Sequence, residues 1–309
     1  SPDVVIASST YPLDNIPAWL IAKRCGAKLV FEVHDLWPLS PMILGGMSRR
    51  HPFIVTMQLG EDFACRRSDL VVSMLPKADR HLTTRGMDAS KFVYIPNGID
   101  IEAWQSDKRG LPDIHTSTIE RFRNEGRFIV GYAGAHGIAN ALNDFLEASV
   151  LARDMPVAFV LVGQGPEKER LQQRAFEAGL TNVAFLPPVP RDSVPALLEA
   201  MDALYIGWQR QPLYQYGVSP NKLLDYMMAG KPVIHAIEAG NDLVAESGCG
   251  ISVPPEDPSA IVQAVKTLMS LTPDERAAMG AKGRDYVVRH HDYRRLARQF
   301  LDAVESIRN

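Results

Sequence analysis

Ten short apolar runs, several of them unbroken rather than alternating, constrain this chain more than any other feature. They fall at residues 4–8, 29–33, 70–74, 93–96, 128–133, 159–162, 183–186, 203–207, 233–235 and 251–253. A strand with one wet face alternates apolar and polar residues. A continuous Val/Ile/Leu run suits a strand covered on both faces. Helical periodicity fills most of the gaps, for example at 140–152, 168–178 and 193–201. Strand, helix, strand in repetition predicts α/β architecture with doubly wound parallel sheets.

The rhythm breaks once, at 101–126, a polar stretch with turn residues and no strand. It divides the chain into a first half with four strands and a second with six. The expected organisation is an N-terminal Rossmann-like domain at 1–110, a linker at 111–126, a second, ligand-binding Rossmann-like domain at 127–288, and a basic helix at 289–309 packing back across both. With 309 residues, each domain can bury a core of its own. Ser1 and Pro2 lead straight into a strand that looks internal to a sheet, so part of the first domain is expected to precede Ser1.

Bulk properties exclude several classes. A formal charge of -3 supplies no field for nucleic acid. No apolar run approaches the ~18 residues of a membrane span, and a secretory signal peptide is not expected. Cys25, Cys65 and Cys249 are scattered and odd in number, which fits a reducing, cytoplasmic compartment. There is no Asp-x-Asp triplet, no metal-ligand spacing, no P-loop and no nucleophile elbow, so neither a metal nor another cofactor is expected.

The most informative segment follows the run at 203–207. It passes through Gly217, Val218, Ser219, Pro220 and Asn221 to Lys222 and Asp225, and closes at Gly230 and Pro232. Ser219 suits an N-cap and Pro220 a first helical position. The open end of such a helix presents free N–H groups and partial positive charge, a ready seat for phosphate. Lys222 and Asp225, three apart, share one helix face. Lysine there can neutralise a diphosphate, and the carboxylate one turn deeper can accept from a ribose diol. The alternative is a capped helix carrying a solvated Lys–Asp pair.

Gly134 and Gly137, flanking His136 after the run at 128–133, let backbone N–H groups approach a diphosphate before a helix from about residue 138. Gly163 and Gly165 form a second glycine turn that suits the wall of a base pocket. Each is equally an ordinary turn when taken alone. In the first half, His34 and Asp35 leave a strand at its carboxyl end, where histidine can donate to developing charge and Asp35 can simply cap. Asn97 and Gly98 form a turn with a structural role.

In order and spacing, these pieces resemble the GT-B glycosyltransferases of family 4, the group 1 glycosyltransferases, over nearly the whole chain. The matching residues are His34–Asp35, Ile95 to Asp100, Tyr132 to Gly134, Val162 to Gly165, Phe185 to Pro187, and Ser219 to Pro232. The Ala-x-His-Gly and Ser-Pro-Asn-Lys variants look closest to an L-fucosamine-transferase-like branch. The resemblance implies two Rossmann-like domains facing a cleft, a donor held by the second, and transfer with retained anomeric configuration and no metal. It places Asp225 at the ribose and His34 near the reacting sugar. Gly217 stands where the family carries a first glutamate, and Asn140 where it often carries a basic residue, leaving Lys222 and Arg210 as phosphate partners. The family's glycine-rich loop is expected before Ser1, so the chain as given is expected to be poorly active.

The function expected is sugar transfer from a nucleoside diphosphate, UDP favoured over GDP, to a hydroxyl of a glycan or lipid-linked acceptor in cell-surface glycan biosynthesis. A sugar-nucleotide epimerase and a non-catalytic nucleotide-sugar-binding protein are the rival readings. Basic and apolar residues at 47–53 and 65–67 suggest peripheral contact with the inner membrane face, with ordinary surface helices as the alternative.

Overall fold

In the computed structural model, residues 1–106 and 109–308 are described. Residues 107, 108 and 309, which fall within the expected first domain and final helix, lie outside them. Four strands, β1 (Val4–Ser8), β2 (Lys28–Val33), β3 (Leu70–Ser73) and β4 (Phe92–Tyr94), pair in chain order as a parallel sheet. Six more form a second parallel sheet: β5 (Phe128–Ala133), β6 (Val157–Val162), β7 (Val183–Leu186), β8 (Ala203–Gly207), β9 (Val233–Ala236) and β10 (Gly250–Val253). Their order is β10-β9-β8-β5-β6-β7, so the winding reverses between β8 and β5. A ligand crevice is expected outside the carboxyl ends of strands at such a reversal.

Helices α1 (Asn15–Cys25), α2 (Leu39–Ile43), α3 (Pro52–Arg67) and α4 (Asp79–Leu82) accompany the first sheet. Then come α5 (Ile101–Ser106) and α6 (Asp113–Asn124). The second sheet is interleaved with α7 (Leu142–Leu151), α8 (Lys168–Glu177), α9 (Val194–Glu199), α10 (Asn221–Met228), α11 (Leu243–Ser247) and α12 (Pro258–Ser270). The chain closes with α13 (Pro273–His290) and α14 (Tyr293–Ser306). Local chemistry sets several ends. A Thr272–Glu275 capping box with Pro273 in the first turn opens α13. Gly26, at φ +66, and Gly230, at the same φ, end α1 and α10 in the left-handed region.

Both faces of the first sheet are covered, and part of each cover comes from the second half of the chain. On one face Val30, Leu70 and Val72 pack under Phe300, Ala303, Val304 and Ile307 of α14. On the other, Phe31, Val33 and Val71 share a core with Leu213, Tyr214 and Tyr216. These last three belong to a strap, Pro212–Tyr216, that follows β8. The final helix packs on the first sheet, while α13 packs on α10.

Two local expectations change. The stretch expected as a linker at 111–126 contains α6, whose Ile119 and Phe122 are buried in the core of the second sheet. Its apolar residues recur at helical spacing, a signal outweighed by the polar residues around them. The helix expected from residue 138 begins instead at Leu142. A single 3₁₀ turn at Ile138–Asn140 and left-handed Ala141, at φ 47, hold it back.

Close backbone packing of α13 against the end of α10 depends on Gly280, where a Cβ would overlap the carbonyl oxygen of Gly230. Alanine normally favours a helix interior over glycine by about 1 kcal/mol. Here Gly280→Ala is expected to destabilise instead, by about 1–3 kcal/mol, because the helix must shift. A lower urea midpoint with unchanged m-value is the result to look for.

Candidate functional site

The residues that converge lie at the reversal between β5 and β8. Tyr226 ties α10 to the end of β5: its hydroxyl accepts from Ala133 N at 2.7 Å and donates to Ala133 O at 3.0 Å. That leaves Gly134 at the mouth of a recess of about 420 Å³. Its walls include Gly134, Gly163, Gln164, Pro188, Val189, Arg191, Val194, Lys222 and Asp225.

Lys222 points back toward β5 rather than to solvent. Its Nζ donates to Tyr132 Oη at 2.9 Å and to Asn140 Oδ1 at 2.8 Å, and lies 4.6 Å from the Tyr132 ring centroid. Asn140, which stands where a basic residue was expected, thus orients the lysine. A Cβ on Gly134 would come within 2.8 Å of Lys222 Cε, so glycine is what allows this approach. Among the described residues no carboxylate pairs with the ammonium, and burial lowers its pKa from 10.5 to about 8.

Asp225 does not pair with Lys222. Both of its oxygens accept from Arg191, Nη1 to Oδ2 at 2.6 Å and Nη2 to Oδ1 at 2.8 Å. Arg191 was not anticipated. It follows β7 in a proline-rich turn, and the rule that ligands gather beyond strand carboxyl ends was the signal that pointed there. Arg191 and Asp225 also line an adjoining recess of about 850 Å³, with Asn221, Asp100, Trp104 and Tyr293.

Other expected residues take different places. Ser219 does not cap α10; the N-cap is Pro220, with no side-chain hydrogen bond. Ser219 Oγ accepts instead from Asn97 N at 3.0 Å, and Ser219 O from Asn97 Nδ2 at 2.6 Å. Asn97 therefore joins the two halves, and the first turn of α10 keeps its N–H groups free of any side-chain cap. Val218 is fixed by Asn241, which accepts from its N–H at 2.8 Å and donates to its carbonyl at 3.0 Å. Gly137, Gly165, Gly217, Val218, Ser219 and Pro220 support the recess without lining it. Gly165 lets the turn close on the His136 backbone.

His136 is fully buried, between Tyr132 and Phe185 at centroid distances of 5.9 and 6.3 Å. Burial, then the nearby Lys168 and Lys222, push its pKa down to about 4. It lies behind the lining of the recess and offers no contact surface. Arg210 pairs with Glu238 and does not line the recess. Asp35 is a local cap, accepting from Leu36 N, Trp37 Nε1 and Ser40 Oγ.

His34 lies apart from Lys222 and Asp225. Its Nε2 is 2.9 Å from Ser8 Oγ and 3.5 Å from Glu32. It opens into a third recess, of about 400 Å³, that shares Gly98 and Tyr293 with the 850 Å³ one. Among the described residues, no three His, Cys, Asp or Glu side chains are grouped to hold a metal ion.

Two parallel α/β units meeting at a cleft, with an open helix end and a buried lysine on the second, define the GT-B architecture of sugar-transferring enzymes. The model described as "Glycosyl transferases group 1" matches residues 127–270, and the "Glycosyl transferase 4-like domain" matches 1–98. The chain belongs to the group 1, family 4 glycosyltransferases. It is 26% identical to a putative colanic acid biosynthesis glycosyl transferase, WcaI, of Escherichia coli K12, over 93% of this chain and 70% of that protein. It is also 26% identical to the D-inositol 3-phosphate glycosyltransferase of Salinispora tropica, over 95% of this chain but 62% of that one. Among solved structures it is similar to Anabaena HepE in complex with UDP, with TM-score 0.77, 19% identity, and coverage of 98% and 79%. The sucrose-phosphate synthase of Thermosynechococcus elongatus gives TM-score 0.72, 18% identity, and coverage of 99% and 73%. These two likenesses bear on the fold.

The strap explains why a first glutamate is absent. Gly217 has φ +105, and a Cβ there would overlap Pro76 of the first half and reach within 3.0 Å of Asn241 Oδ1. Gly217→Glu is therefore expected to cost about 2–4 kcal/mol, from left-handed strain plus overpacking, and to gain no donor affinity. Thermal denaturation together with UDP titration checks both halves of that expectation.

Proposed function

We propose that the chain binds a nucleoside-diphosphate sugar and transfers the sugar, with retention, to a hydroxyl acceptor. The observation that carries this is the convergence on one recess of a buried lysine, without a carboxylate partner among the described residues, and the Asp225 carboxylate, both on α10, whose first turn is uncapped. Lys222 and the N–H groups of that turn meet the charge of the departing diphosphate, in place of a bound ion. Asp225 faces the ribose. The glycine turn at Gly163 and the apolar Pro188, Val189 and Val194 enclose the base. UDP is favoured over GDP, supported by HepE structures with UDP and UDP-glucose. No side chain stands as a nucleophile in this scheme, so the acceptor attacks from the face the diphosphate leaves, with His34 on the acceptor side. The family is one of transferases, which disfavours both the epimerase and the non-catalytic readings.

Lys222 gives the first test. Hydrogen bonds to charged groups contribute about 1.5–3 kcal/mol, so Lys222→Ala is expected to weaken UDP binding about 10- to 100-fold. The folded pKa lies below the unfolded one, so the unfolded chain holds more protons between about 8 and 10.5. Stability should therefore rise with pH across that window. UDP affinity should fall above about pH 8 as the charge is lost, and this dependence should vanish in Lys222→Ala. A thermal-shift series with UDP, GDP and dTDP across pH reports all three. Equal UDP affinity in the variant would remove the diphosphate from this recess.

On the acceptor side, a recess of about 480 Å³ is lined by Leu39, Met42, Ile54, Leu59, Arg49 and Arg85, among others. Leu44, Val55 and Leu59 are exposed around it, near Arg49 and Arg50. No described helix is long and apolar enough to cross a membrane. We assign this face to a glycan or lipid-linked acceptor of cell-surface glycan synthesis, met at the cytoplasmic membrane face by peripheral contact. Co-sedimentation with phosphatidylglycerol vesicles should decline with salt and fall several-fold in Leu59→Glu. Salt-independent binding, or none, would rule out the membrane contact.

A further inference from the structure

Arg191 and Asp225 form an arrangement that the ribose assignment alone does not require. The Asp225 side chain is nearly buried, 11% accessible, whereas the arginine side chain bound to it is 72% accessible. Both residues line the 420 Å³ and the 850 Å³ recesses, so the pair forms part of the boundary between them. Each carboxylate oxygen accepts one N–H from Arg191 and keeps a second lone pair. The guanidinium has five N–H groups, of which two are engaged with Asp225.

The pair therefore offers acceptors and donors side by side on one rigid surface. That is the complement of a vicinal diol, whose hydroxyls each donate one hydrogen bond and accept others. A phosphate is a poorer match. The charge of Arg191 is already met by Asp225, while Lys222 has no carboxylate partner among the described residues. Asp225 sits one helical turn below the open end of α10, which sets the diol about one turn, ~5 Å, from the diphosphate seat.

We propose that Arg191 and Asp225 act as one clamp for the ribose 2′,3′-diol, and that Arg191 determines the preference for ribonucleotide over 2′-deoxyribonucleotide donors. This rests on the assignment of Lys222 and α10 to a nucleoside diphosphate. Arginine is required because its planar fork holds both carboxylate oxygens at once, and a lysine offers only a point charge.

The test compares UDP with 2′-deoxy-UDP by calorimetric titration of the chain and of Arg191→Lys, Arg191→Met, Asp225→Asn and Lys222→Ala. The chain itself should favour UDP by about tenfold or more, since a missing hydroxyl leaves site groups unpaired. Both Arg191 variants and Asp225→Asn should bring that ratio to within about twofold, mainly by weakening UDP. Lys222→Ala should weaken both nucleotides and keep the ratio. Arg191→Lys retains a positive charge beside the buried carboxylate, so it remains readable if Arg191→Met fails to fold.

Equal loss of both nucleotides in the Arg191 variants would overturn the clamp, because Arg191 would then act on phosphate or on the fold. A ratio preserved in Arg191→Lys, or absent from the unsubstituted chain, would overturn it too. An unchanged UDP affinity in both Asp225→Asn and Lys222→Ala, by contrast, would sink the donor assignment itself.

Discussion

A parallel sheet carries apolar side chains on both faces, and neither face can be left to water. That requirement organises the molecule. The six-stranded sheet meets it with helices that precede and follow its own strands. The four-stranded sheet meets it with partners from its own half and with α14 and the Pro212–Tyr216 strap from the other. The two halves are therefore not independent bodies joined by a tether. Leu213 is a core residue of a sheet to which it does not belong in sequence, and Tyr214 and Tyr216 pack against the same core.

The candidate site follows from the same arrangement. The strap that docks on the first sheet leads, through Gly217 and Ser219, straight into the first turn of α10. The helix is thus held at its entry by Asn97 and along its length by Tyr226. Between these supports its polar residues diverge. Lys222 swings to Tyr132 and Asn140, and Asp225 to Arg191. A lysine that reaches a neutral tyrosine and amide, rather than a carboxylate, sits buried among neutral partners, and the diphosphate seat proposed above rests on that arrangement.

Much of this was legible in the residues. All ten strands lie where the short apolar runs stand, several of them unbroken, because burial on both faces leaves a local signature. Gly230 ends α10 in the left-handed conformation that its position demanded. What the sequence concealed depends on partners far along the chain. Ser219 has the chemistry of an N-cap, yet its hydroxyl meets Asn97, 122 residues away. The pairing of Arg191 with Asp225 spans 34 residues and two elements, with no local periodicity to announce it. His136 had the chemistry of a ligand contact, but its exposure is decided by Tyr132 and Phe185 folding over it. The helix α6 was hidden for another reason: three buried side chains, His115, Ile119 and Phe122, sit among nine others that are mostly polar.

The joint at Asn97 bears on how such a protein can be taken apart. Its amide and side chain hold Ser219, its carbonyl accepts from His291, and the neighbouring Ile99 N–H donates to His291 O at 2.8 Å. Three segments remote in sequence are knotted into one small polar cluster. A chimera that exchanges the first half with that of a relative, cutting at the sequence boundary between sheets, would leave behind both the strap and the last helix. The grafted sheet would then meet a lid and a floor shaped for another surface. An exchange that respects the packing must transfer three pieces of chain together: the first sheet, residues 212–219, and the stretch from His291 onward.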